Sequence, residues 1–93
     1  MRLRGGSRVG RFNSTIPLVT LSLDHEWAQL SGMVPVWIDR SEVSSVRRIS
    51  GTLGSGIMFD TADGRFDGVI YWTFDPAGVL YAFSFYDWPV ATP

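Results

Sequence analysis

The sequence predicts an α+β domain: a strongly bent antiparallel sheet or open barrel of six to seven strands, capped by one C-terminal helix. Three observations predict it. From residue 17 onward, short apolar runs alternate with polar residues at the period of half-buried strands. Turn residues punctuate these runs, most clearly in DTADGR at 60–65, where Asp-Gly suits a hairpin. Only the stretch from residue 75, DPAGVLYAFSF, opens with strong helix-start chemistry, Asp as N-cap and Pro at the first helical position.

Each element follows from its own pattern. Order is expected to begin between Phe12 and Ile16. In PLVTLSL, Val19, Leu21 and Leu23 fall on one face and Thr20 and Ser22 on the other. DHE makes a polar turn, and WAQLSG places Ala28 and Leu30 opposite Trp27 and Gln29. MVPVWI puts Val34, Val36 and Ile38 on one face, with Pro35 marking an edge strand or a bulge. Asp39 and Glu42 have capping-box spacing, so a single helical turn at 41–44 competes with a plain polar turn. SSVRRISG reads as a strand, GTLGSG as a flexible connection and GIMF as another strand. FDGVIYWTF is apolar on both faces, which places it centrally or beneath a helix. The helix then runs from Pro76 to Phe85 or Tyr86, and Pro89 forbids its continuation.

Composition narrows the function classes. A chain of 93 residues makes one domain and buries roughly 60–65% of its unfolded surface. No apolar run approaches the ~20 residues needed to span a bilayer, and MRLRGGSRVGRF lacks the apolar core of a secretory signal, so a cytoplasmic location is expected. The absence of cysteine removes disulfides, thiolate nucleophiles and thiolate metal sites. All eight basic residues are Arg. The net charge of −1 hides an asymmetry: Arg2, Arg4, Arg8 and Arg11 crowd the first eleven residues, and the rest is acidic. The chain therefore divides into a flexible basic arm at 1–11 and a single domain at 12–93. The arm's arginines could contact phosphates or an anionic membrane surface. Nucleic acid is not an expected partner, because the pI of about 5.6 is far from the basic range of such domains.

Several stretches together carry a family resemblance. PLVTLSL followed by WAQLSG, the element VWIDRSEVSSVRR, the hairpin GSGIMFDTADGRFDGVIYWTF and the final DPAGVLYAFSFYDWPV resemble the pleckstrin-homology-like superfold. The small bacterial and GRAM-type versions are the nearest in pattern, over roughly residues 12–90. The resemblance implies a binding scaffold. It also implies phosphoinositide recognition by basic residues around the first hairpin loop. Here that loop is Asp24-His25-Glu26, which is acidic, so the lipid-headgroup role does not carry over.

No catalytic set emerges. His25 stands alone between Asp24 and Glu26, too few ligands for zinc. Asp60, Asp63 and Asp67 with Gly64 and Gly68 depart from calcium-loop spacing and read as a hairpin turn. Ser41, Ser44 and Ser45 lack a nucleophile elbow, and GTLGSG lacks the Lys of a phosphate loop. Arg40, Arg47 and Arg48 form either a basic patch or cross-strand pairs with acids such as Asp60 and Glu42. No enzyme activity, metal or cofactor is expected.

The helix holds the sharper clue. Val79, Leu80 and Phe83 form its core stripe, with Tyr86 or Asp87 near its end. Tyr81 and Phe85 stack at i and i+4 on a different stripe, flanked by the small Ala77 and Ser84, and residues 77–86 carry no charge. In the resembled superfold that outer stripe is normally charged. Two readings follow: the arm with Phe12 folds over the stripe, or a second copy or another protein partner covers it. The latter makes the chain a non-enzymatic interaction module and a homo-oligomer. A membrane-surface or small-ligand module using the Arg arm and the exposed aromatics is the alternative.

Overall fold

The structure, a computed structural model, describes residues 1–32, 34–51 and 54–91. In chain order its elements are β1 (Arg2–Val9), β2 (Phe12–Leu23), β3 (Trp27–Ser31), β4 (Val36–Asp39), the 3-10 turn η1 (Arg40–Glu42), β5 (Val43–Ser50), β6 (Ser55–Thr61), β7 (Val69–Thr73) and α1 (Pro76–Phe85). The strands form a seven-stranded antiparallel half-barrel in the order β4-β3-β2-β1-β7-β6-β5. The C-terminal helix packs over β5 and β6. This is the fold class that the apolar periodicity predicts. Parts of GTLGSG (Thr52 and Leu53) and of MVPVWI (Met33) lie outside the described residues.

The first eleven residues correct an expectation. They are not a flexible arm: β1 sits in the middle of the sheet, hydrogen-bonded to β2 on one side and β7 on the other. The glycines that gave the segment its flexible look serve the crossing. A Cβ on Gly5 would lie 2.3 Å from the Trp72 carbonyl oxygen and 2.6 Å from the Tyr71 ring. Only a bare backbone lets the two chains approach this closely. The register shifts at the same place, between Gly5, opposite Val19, and Ser7, opposite Ser14. The extra residues bulge out of β2 and bend it.

Alternation decides what the half-barrel encloses. Val19, Leu21 and Leu23 of β2, Ala28 and Leu30 of β3 and Ile38 of β4 point inward. They meet Val46, Ile57, Phe59 and Tyr71 from the other half, and Val79, Ala82 and Phe83 from the helix. Phe83 packs edge-on against Phe59 at 5.5 Å and Trp88 at 5.2 Å. The last strand begins at Val69, three residues later than expected. Asp63 accepts from the Thr61 hydroxyl and the Arg65 amide, and successive turns carry the chain to Val69, with buried Phe66 in the loop. Central β7 does have apolar residues on both faces, with Ile70 and Trp72 half-buried on the outer one.

Two caps fix the helix. Asp75 accepts from the Gly78 amide at 3.1 Å. At the other end Asp87 adopts φ 64°, the Trp88 amide donates to Phe83 O at 2.9 Å and the Asp87 amide to Ser84 O at 3.0 Å. This is a Schellman stop, completed by the Phe83–Trp88 contact. The helix therefore ends before Pro89 can act. Trp88 then donates its indole N–H to Asp24 O at 2.8 Å, and the tail pairs with β5 through Val46 N to Pro89 O and Ala91 N to Val46 O, both 2.8 Å. Asp39 caps η1 through the Ser41 amide and hydroxyl, while Glu42 pairs with Arg65 at 2.7 Å instead of reaching back.

Two stability predictions follow from this packing. Trp88→Ala empties the joint between helix, tail and β2–β3 turn, and urea denaturation should show a loss of roughly 3–5 kcal/mol. Tyr71 is fully buried and its hydroxyl has no hydrogen-bond partner among the described residues. Tyr71→Phe should therefore raise stability by about 1 kcal/mol. Burial also pushes the Tyr71 phenol up from 10.0 to about 12. The unfolded chain then ionises first, so this group leaves wild-type stability unchanged below pH 10 and lowers it as pH rises from 10 toward 12. Denaturation midpoints across that window should fall less steeply in Tyr71→Phe than in the wild type.

Candidate interaction surfaces

Helix α1 presents its outer stripe to solvent. Val79, Ala82 and Phe83 are buried and Leu80 is half-buried, which sets the inward face. Opposite them, Tyr81 is 72% exposed and Phe85 60%, with Ala77 and Ser84 also exposed. Phe12 is itself exposed, at the β1–β2 hairpin, so it does not fold over this stripe. Phe74, 70% exposed directly before the N-cap, is a separate aromatic whose ring lies near Gly54. Phe85 continues into an edge-on chain of rings, Phe85 on Tyr86 at 5.0 Å and Tyr86 on His25 at 5.0 Å.

The N-terminal arginines are placed by β1. Arg2, Arg4 and Arg8 fall on the outer face of the sheet, and Arg11 lies in the turn after it. Arg2 stands opposite Ser22, Ser22 opposite Gln29 and Gln29 opposite Trp37. These four residues make one row across β1, β2, β3 and β4. Trp27 and Trp37 meet at 86° with ring centres 6.2 Å apart, and both are exposed. A groove of about 310 Å³ lies over this row, lined by Arg2, Ser22, Asp24, Trp27, Gln29 and Trp37 among others. Hydrogen bonds from the Glu26 and Trp27 amides hold the Asp24 carboxyl below its ordinary range. The Ser41 hydroxyl and amide do the same for Asp39. Sequence reading put Trp27 and Gln29 on one face but missed this site. Two-residue periodicity gives the face of each strand, and only the register brings Trp37 and Arg2 into line.

Other sequence-singled residues serve structure. His25 Nε2 lies 3.8 Å from Asp87 Oδ2, and Arg40 donates to the carbonyls of His25 and Asp87. This ties the β2–β3 turn to the helix end. Arg47 pairs with Asp60 at 2.8 Å and Arg65 with Glu42, which resolves the basic-patch alternative for Arg47 in favour of cross-strand pairing. Asp63 and Gly64, the latter at φ 69°, build the β6–β7 turn. Ser41 donates to Asp39 and Ser44 to Asp60 O. Among the described residues no three His, Cys, Asp or Glu side chains converge as metal ligands. No helix there is long and apolar enough to cross a membrane. Comparison with protein-family models, curated proteins and solved structures finds no match to this chain.

Proposed function

We propose that this chain is a non-enzymatic, PH-like interaction module that pairs with a second copy of itself through the outer stripe of α1. The observation that carries this reading is the exposure of Tyr81 and Phe85 on one stripe of a charge-free helix. Large aromatics in a patch without charge have the composition of an interface core. Ala77 and Ser84 beside them are small enough to let a second helix approach. Identical helices meeting about a two-fold axis bury the same stripe on both copies, the simplest closed assembly. Covering both rings contributes on the order of 3–5 kcal/mol per subunit before association costs. Seven antiparallel strands followed by a single C-terminal helix support the PH-like part of the reading.

Light scattering tests the pairing. The wild type should shift toward twice the mass of the 10.4 kDa chain as concentration rises. Tyr81→Glu/Phe85→Lys should remain monomeric at every concentration with an unchanged circular dichroism spectrum. A wild type that stays monomeric throughout removes self-association.

A further inference from the structure

The chain's charges nearly cancel in sum, but those within β1, β2 and β3 are all positive. Residues 1–23 hold four Arg and no acid, and β3 holds no acid either. The acids gather in the turns and at the ends of β4, β6 and the helix, and two of them border the groove: Asp24 lines it, its carboxylate accepting from the Glu26 and Trp27 amides, and Asp39 stands opposite Trp27. On the outer face of β1, Arg2, Arg4 and Arg8 have no ion-pair partner among the described residues, whereas Arg47 and Arg65 are paired. Arg2 and Arg4, same-face residues two apart, are separated by about 7 Å, and Arg8 lies about 13 Å beyond Arg4, with Gly6 between them. The shorter step is comparable with the spacing of successive phosphates along an extended nucleic-acid strand. The row from Arg2 through Ser22 and Gln29 to Trp37 crosses three strand spacings, about 14 Å. At its far end the perpendicular indoles of Trp27 and Trp37 form a corner over the groove.

We propose that the outer face of β1, β2 and β3, with Trp37 of β4, binds single-stranded nucleic acid. A base stacks on the exposed indoles, Gln29 and Ser22 meet its edge or its sugar, and Arg2, Arg4 and Arg8 neutralise phosphates. Aromatic platforms beside a cationic track are how single strands are held without strong sequence preference. The overall acidity of the chain does not oppose this, because a ligand responds to the face it meets. A neutral saccharide would account for the indoles but leave the column of guanidiniums unused. A flat anionic membrane would use the guanidiniums, yet it meets a convex sheet poorly and does not enter a groove. Duplex DNA keeps its bases stacked away from the indoles. The proposal concerns a different surface from the helix stripe and does not depend on pairing.

Fluorescence anisotropy with a labelled oligothymidylate and an oligouridylate of about 12 nucleotides tests it. Tryptophan emission is followed in the same titration. Binding should quench that emission, exceed binding to a duplex of the same length, and weaken with salt at a log–log slope of about −2 for three phosphates. Trp37→Ala should weaken binding about tenfold or more and remove much of the quench. Arg2→Ser/Arg4→Ser should flatten the salt slope. All three residues are exposed, so these variants should keep the wild-type melting curve. Tyr81→Glu/Phe85→Lys should bind the oligonucleotides as the wild type does. Absence of single-strand binding at low salt overturns the proposal. So does equal binding to heparin or anionic phosphatidylserine vesicles without quenching, which would make the face a general anion surface. Uridine monophosphate binding as tightly as the oligomer would reduce the site to a mononucleotide pocket and equally overturn it.

Discussion

The close crossing of β1 over β7 at Gly5 is the constraint on which the rest of the structure depends. β1 joins the two halves of the sheet, β4-β3-β2 on one side and β7-β6-β5 on the other. A side chain at Gly5 would drive into the Trp72 carbonyl and the Tyr71 ring, so the halves would separate at their joint. With the joint closed, Val19 and Leu21 face Tyr71 and Ile57 across a single interior, and the helix has one floor to pack on.

The same strand also organises the surface. Alternation along β1 sends Leu3 and Val9 toward the core and Arg2, Arg4 and Arg8 outward. A stretch whose arginines pair with no acid among the described residues thus becomes the axis of one face. Over β5 and β6, the helix buries Val79 and Phe83 and leaves Tyr81 and Phe85 in water. Each surface is the reverse side of an element whose inner side is committed to the core. Either face can therefore be altered with little direct cost to packing.

Legibility in the sequence followed the range of the interactions involved. The helix start was readable to the residue because the Asp75-Pro76 signal acts within a few positions. The strands PLVTLSL, WAQLSG and SSVRRIS were readable from alternation with a period of two. β1 was not, because RLRGGSRV is poor in apolar residues and its glycines are explained only by strands far along the chain. The Schellman stop was hidden for a related reason: Pro89 is the conspicuous breaker, while Asp87 in the left-handed region is an uncommon choice over Gly. Tyr81 and Phe85 could be named from helical geometry alone. The row that joins Arg2 to Trp37 could not, because cross-strand register is decided by turns and by the bulge between Gly5 and Ser7.

The tail at Pro89–Ala91 has a consequence for how copies of this chain can meet. An open sheet ends in two strands with unused backbone groups, and such margins invite endless growth, one chain templating the next. Here the tail occupies the N–H and carbonyl of Val46 on the β5 margin. The β4 margin is four residues long and is preceded by Pro35, which has no N–H to offer. Backbone-driven fibre growth is thus blunted at both ends, and contacts between copies are left to side chains, whose shapes complement one another in finite, countable sets.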